Sequence, residues 1–238
     1  MRIAIISDIH ANVIALKTII KHMLSQEIDE IIFLGDLVTC GPNVKEVLEE
    51  MKNLSPIVWI KGNTENWLQD ISIDFKPKTK SEEYQFELSK YAYERLDPEE
   101  QEFLLSKPEK QLIKMEGLKI LCVHGSNNSI DEQMGIMTPI KRFEEITNEI
   151  DADVLICGHA HLAYYSSFNR KLIINPGSIS LSRDGDPRAS YGILEIDNGN
   201  ISYTNYKITY DIQRVIEDAK TNDFPYIDIF VERLSKAK

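Results

Sequence analysis

Short β-branched apolar runs alternate with stretches whose apolar residues recur every three or four positions, and this alternation persists through the first two-thirds of the chain. It predicts an α/β architecture. Ile3 to Ile6 reads as a first strand, and Val13, Leu16, Ile20 and Met23 follow at the period of a helix that buries one face. The unit repeats with a strand at Ile31 to Leu34, a helix marked by Val44, Val47, Leu48 and Met51, and a strand at Ile57 to Ile60. Successive β-α units imply parallel strand order.

From about Ser72 to Gln111 the rhythm breaks: charge and aromatics (Tyr84, Phe86, Tyr91, Tyr93) accumulate, with Pro98 and Pro108 as punctuation. A helical insertion is expected there, either a solvated hairpin covering a sheet edge or a lid over substrate. Strands resume at Leu118 to Val123 and Val154 to Cys157, with a helix from Pro139 to Ile150 between them. Beyond Leu172 the pattern is that of β-hairpins, at Leu172 to Ile174, Ser190 to Ile196 and Ile201 to Ile208, with Asn198-Gly199 as a turn. Ile227, Phe230 and Leu234 predict a terminal helix. No internal repeat is present, so residues 1–238 read as one domain carrying an insertion at about 72–111.

Composition narrows the class. The chain has 238 residues, of which 42% are hydrophobic and 27% charged, as in ordinary globular proteins. Cys40, Cys122 and Cys157 form no C-x-x-C pair and are expected to be buried thiols in a reducing cytosol. A net charge of −11 disfavours long nucleic acid as a partner. The N-terminal apolar run is too short for a signal h-region, and no apolar stretch reaches the length of a membrane span, so a cytoplasmic protein without membrane association is expected.

The polar residues at the strand ends change the picture most. The predicted strands end in Asp8-Ile9-His10, Gly35-Asp36, Gly62-Asn63, His124 and Gly158-His159-Ala160-His161. Each thus delivers a metal-type ligand at the C-terminal edge, where loops of an α/β sheet converge on one crevice. In Asp8-x-His10 and His159-x-His161, the spacing of two in an extended segment places both side chains on one side. Alone, any one of these residues is as readily a hydrogen-bonded structural group or a helix N-cap. Together they are hard to dismiss, since four of the five histidines fall at strand ends beside Gly or Asp. The fifth, His22, sits on the polar face of the first helix and reads as structural.

This ordered series resembles the calcineurin-like metallophosphoesterase superfamily, in particular its small prokaryotic phosphodiesterase branch. Asp8-Ile9-His10-Ala11-Asn12, Gly35-Asp36-Leu37 before Gly41-Pro42, and the run from Asn175-Pro176-Gly177-Ser178 through Arg183 to Tyr191 add to it. The likeness extends from residue 1 to about 210, apart from the insertion. It implies a four-layer α-β-β-α sandwich and two divalent metal ions sharing one carboxylate. Asp8, His10, Asp36 and His161 would hold the first ion, and Asp36, Asn63, His124 and His159 the second. Nitrogen and oxygen ligands without thiolate suit manganese, or iron, zinc or nickel, better than magnesium. The implied reaction is hydrolysis of a phosphodiester or other small phosphorylated substrate by hydroxide generated at the metals. No nucleophile elbow or P-loop offers a competing mechanism.

One position departs from the family pattern. A histidine usually follows the Gly-Asn pair, whereas here Thr64 does; its hydroxyl is too weak an acid to protonate a leaving group and is expected to offer a phosphoryl oxygen one hydrogen bond. Asp36, Asn63, Thr64 and His124 are accordingly the expected catalytic residues. Asn12 is either a phosphate contact or a helix N-cap. Arg183 is expected to fork onto substrate phosphate, while Arg188 is more readily an ion pair with Asp184 or Asp186. Two other readings share the site: a metal-binding scaffold without catalysis, as in a retromer component of this fold, and a nucleotide-specific pyrophosphohydrolase such as a dinucleoside polyphosphatase.

Overall fold

The computed structural model describes residues 1–73 and 75–238. In chain order the first elements are β1 (Arg2–Ile6), α1 (Val13–Met23), β2 (Glu30–Phe33), α2 (Val44–Leu54), β3 (Val58–Trp59) and α3 (Asn63–Ser72). Next come α4 (Lys80–Tyr93), α5 (Pro98–Leu105), β4 (Lys110–Met115), β5 (Leu118–Val123), α6 (Ile140–Glu149) and β6 (Val154–Ile156). The chain closes with β7 (Ala163–Phe168), β8 (Lys171–Pro176), β9 (Ala189–Asp197), β10 (Asn200–Ile208), α7 (Ile212–Thr221) and α8 (Ile227–Lys236).

The strands form two five-stranded sheets, ordered β10-β9-β1-β2-β3 and β4-β5-β6-β8-β7. Each contains a parallel triplet, β1-β2-β3 in one and β5-β6-β8 in the other, flanked by antiparallel strands. Alternation along β1 explains the layering. Ile3 and Ile5 point between the sheets and pack with Ile32, Leu34, Ile120, Cys122, Val154, Ile156 and Ile174. Ala4 and Ile6 point the other way, into a second core with Leu16 and Ile19 of α1 and Val47 and Leu48 of α2. On the far side, Leu121, Leu155 and Ile173 meet Phe143 and Ile146 of α6. The order of layers is therefore helices, sheet, sheet, helix. Strands buried on both faces need the continuous apolar runs seen in the sequence.

Within the expected helical insertion lie α4 and α5. Asp97 caps α5 by accepting from the Glu100 N–H, and Pro98 occupies its first turn. Tyr91 of α4 packs edge-to-face on Phe224, which in turn meets Phe230 of α8, and the Arg95 guanidinium lies 3.5 Å over the Tyr91 ring. The far boundary expected at Gln111 falls inside β4, an edge strand whose alternately exposed residues mask its apolar pattern. Three more elements went unpredicted: α3, β7, which is similarly half exposed, and α7, which begins at an Asp211 cap. Leu172 to Ile174 belongs to β8 in the other sheet, where it forms a hairpin with β7 through Asn169 and Arg170, and β9 and β10 form another, turning at Asn198 and Gly199; all four turn residues are at positive φ. No helix among the described residues is long and apolar enough to cross a membrane.

Candidate metal centre and its cleft

The parallel triplets open their C-terminal ends on one edge, and the loops that leave them make sharp turns. Asp8, His10, Asp36, His159 and His161 all have positive φ, between 47° and 61°. This left-handed backbone is uncommon for residues with a side chain and is held only where the surroundings enforce it. The pairs Asp8/His10 and His159/His161 therefore converge through kinked backbone, not through the extended alternation that their spacing suggested. Hydrogen bonds from Ile9 N–H and His10 N–H to Asp36 O, at 2.9 and 3.0 Å, stitch the first loop to the second. Gly35 and Gly62 allow the next loop to close in. A Cβ on Gly62 would run into Asp36 Oδ1, and one on Gly35, at φ 92°, would strike the backbone of Gly62.

All seven expected ligands meet here, in two groups that share Asp36. Ligand atoms of Asp8, His10, Asp36 and His161 lie within 4.8 Å of one another, and so do those of Asp36, His124 and His159. Asn63 joins the second group, its Oδ1 lying 3.0 Å from His124 Nε2 and 2.9 Å from His159 Nδ1. In the first group His161 Nε2 is 3.2 Å from Asp8 Oδ1 and 3.1 Å from His10 Nε2.

Three of the imidazoles are oriented from behind. His10 Nδ1–H donates to Thr39 O at 3.2 Å, His124 Nδ1–H to Leu34 O at 2.7 Å and His161 Nδ1–H to Leu181 O at 2.6 Å. A carbonyl can only accept, so each bond holds a proton on Nδ1 and turns Nε2 inward. His10 and His161 then face each other lone pair to lone pair, and the buried Asp8 Oδ1 has no hydrogen-bond donor. Acceptors converging on acceptors with nothing to donate fit a cation between them. The donor set therefore suits divalent metal.

Electrostatics agree. Burial opposes ionisation of Asp8, but His161 and His124 outweigh it and bring the carboxyl down to about 2. Asp36 moves the same way: burial opposes, while His124 and His10 prevail. Burial takes His10 down to about 4, which keeps its ring neutral, whereas Asp36 and Asp8, winning against burial, lift His124 to about 10, so that without an ion this ring carries a second proton, which a bound cation would displace. Cys40 borders the cleft, yet burial and the Asp36 charge push its thiol up to about 12, so it stays protonated and offers no thiolate.

One expected contact is spent elsewhere. The Thr64 hydroxyl donates to Asp36 Oδ1 at 2.8 Å, beside the Thr64 N–H at 3.0 Å, so it orients the shared carboxylate instead of a phosphoryl oxygen. Asn12, fully buried, caps α1: Oδ1 accepts from the Ala15 N–H and Nδ2 donates to Ser180 Oγ, which is the N-cap of its two expected roles. Arg183 does border the cleft, a space of about 230 Å³, whereas Arg188 pairs with Asp186 at 2.6 Å. His22 bonds the Tyr191 hydroxyl at 2.7 Å, a structural role.

Sequence reasoning missed Glu65, Trp67, Arg233 and Lys238. Glu65 is 1% exposed, and its carboxylate accepts the N–H groups of Asp36, Leu37 and Gly62 at 2.7–2.8 Å, tying two ligand loops together. The signal was a Glu three residues after the glycine that precedes α3, half of a capping box. Trp67, Arg233 and Lys238 line the cleft. The two cations come from the C-terminal segment; among the described residues none of α4 or α5 lines the cleft, although Tyr84 of α4 touches Arg233.

Residues 1–199 match the family model of the calcineurin-like phosphoesterase superfamily domain. The chain belongs to this superfamily, and family membership makes it a metal-dependent phosphoesterase. It is 30% identical to the probable metallophosphoesterase YsnB of Bacillus subtilis, over 83% of this chain and 86% of that one. An uncharacterized protein of Methanocaldococcus jannaschii is 26% identical over 94% of this chain and 93% of its own length. The crystal structure of a metallophosphoesterase from Sphaerobacter thermophilus superposes with a TM-score of 0.81 at 26% identity and covers 100% of both chains. The insertion and C-terminal segment, which stood outside the expected likeness, therefore belong to a shared architecture.

Proposed function

We propose that the protein hydrolyses a phosphodiester or a related small phosphorylated molecule at a dinuclear centre. Asp8, His10, Asp36 and His161 would hold one ion, and Asp36, Asn63, His124 and His159 the other. The observation that carries this reading is the pair of inward-facing acceptor groups joined through Asp36. When bound, divalent ions at such a centre supply Lewis acidity and lower the pKa of water towards ~7. Manganese is the first candidate, with iron, zinc or nickel as alternatives, because the donors are nitrogen and oxygen only.

The chain's own groups set the leaving-group preference. Apart from the ligands, the titratable residues lining the cleft are Cys40, Arg183, Arg233 and Lys238. The Cys40 thiol, pushed up to about 12, is a poor proton donor at neutral pH, and the Thr64 hydroxyl is engaged with Asp36. Leaving groups that depart without protonation, in aryl diesters and anhydrides, suit this site better than alkyl phosphomonoesters. The buried thiols Cys122 and Cys157 fit a cytoplasmic setting, and the net charge of −11 favours small substrates over long nucleic acid.

The test is to strip the protein of metal, reload it with manganese, nickel or zinc, and measure bound metal together with hydrolysis of bis(p-nitrophenyl) phosphate and of an alkyl phosphomonoester. Two ions per chain and preferential turnover of the diester are expected, with a loss of at least about 100-fold in Asp36→Asn. Full metal occupancy without turnover of any ester would select the scaffold reading.

A further inference from the structure

We propose that Arg183, Arg233 and Lys238 form a second anion subsite on the wall of the metal cleft, so that the substrate carries another phosphate or comparable anionic group besides the one cleaved. This deepens the proposed function and rests on it.

The protein is acidic overall, yet three cations border one small cleft, and among the described residues none of them forms an ion pair. The nearby acids are directed elsewhere. Asp184 pairs with Lys207 at 2.7 Å and Asp186 with Arg188, which leaves Arg183 without a carboxylate in its own loop. On α8, Lys236 pairs with Glu232 at 2.8 Å, whereas the Arg233 guanidinium, among the described residues, bonds the Tyr84 hydroxyl at 3.4 Å and lies by the Tyr84 ring. Arg233 and Lys236 both lie in the last turn of α8, where a helix C-terminus favours cations, but of the two only Lys236 has a carboxylate partner among the described residues.

The subsite is also held in place. Phe230 and Leu234 bury the inner face of α8, and Ala237, 1% exposed, accepts a hydrogen bond from the Gly185 N–H at 3.0 Å. The same loop is tied to the metal centre, since the Arg183 N–H donates to His161 O at 3.1 Å. The loop bearing Arg183 and the segment bearing Arg233 and Lys238 are thus one unit, fixed to a ligand residue. Guanidinium forks on a rigid frame suit the equatorial oxygens of a phosphate.

Two p-nitrophenyl esters separate this subsite from the metal centre: thymidine 5′-(p-nitrophenyl phosphate), and the same compound bearing a 3′-phosphate. Their scissile bonds and leaving groups are identical. The metal-loaded protein is expected to show a kcat/KM at least about tenfold higher for the 3′-phosphorylated ester, a preference that falls to near unity in the Arg233→Ala/Lys238→Ala double variant. Arg233→Lys should recover part of it, and Lys236→Ala, on the same helix but outside the cleft, should keep it. Calorimetry supplies the readout apart from turnover: thymidine 3′,5′-bisphosphate should bind at least about tenfold tighter than thymidine 5′-monophosphate, and the double variant should erase the difference. Equal kcat/KM for the two esters, or equal affinity for the two nucleotides, would overturn the subsite even if bis(p-nitrophenyl) phosphate is turned over. Should no ester be cleaved, the proposed reaction fails while calorimetry still decides the subsite.

Discussion

At the scale of single residues, the centre depends on groups that never touch substrate. Glu65 is the clearest. Its carboxylate neutralises three buried N–H groups, and it stays in place although burial and the Asp36 charge raise its pKa. Glu65→Ala would leave those donors without partners, at a cost of about 1–3 kcal/mol for each group that water cannot reach. Chemical denaturation should show a loss of at least about 2 kcal/mol, and Glu65→Gln, which retains one acceptor oxygen, should lose less. The ligands themselves were legible in sequence because each is chemically distinctive and follows a strand. The N-cap at Asn12 was one of two legible readings, whereas the contacts of Glu65 and Thr64 were not legible, because their roles depend on which backbone or side-chain atom lies opposite, and sequence spacing does not specify that.

At the scale of elements, the two parallel triplets were readable because strands buried on both faces need unbroken apolar runs. The edge strands β4 and β7 were hidden by their exposure, and β3, only two residues long, shows how little ladder is needed to place Asn63. The connection behind His124 is held by polar contacts instead. Arg142 of α6 makes two bonds to Glu132, at 2.6 and 2.9 Å, and Ser126 donates to the same carboxylate. The Arg142 bonds, more than offsetting burial, hold the Glu132 carboxyl below its ordinary value of 4.5. A carboxyl depressed in the folded state stabilises the fold above its unfolded pKa, and that contribution is lost as pH falls through the folded one. Glu132→Gln should therefore be less stable than the parent by about 1 kcal/mol at pH 7, with the gap closing as pH is lowered below about 4.5. Melting curves across that range check it.

At the scale of the whole molecule, the C-terminal segment was the largest surprise. Its apolar spacing revealed a helix, but only the packing of α8 against α4 and the Gly185 loop shows that its cations reach the cleft. Folding also brings acceptors together that would repel in a metal-free chain, so ion binding should stabilise the whole domain. At a free metal concentration of 100 times Kd, one ion adds about 2.7 kcal/mol, which for a chain of this size raises Tm by roughly 5–10 °C. Scanning calorimetry of stripped and manganese-loaded protein should show that rise, with less in Asp36→Asn. The left-handed turns at five of the seven ligands carry one more consequence. A geometry that local segments disfavour exists only once both sheets have closed around it, so the ion acts as a seal on the finished fold and not as the seed from which folding starts.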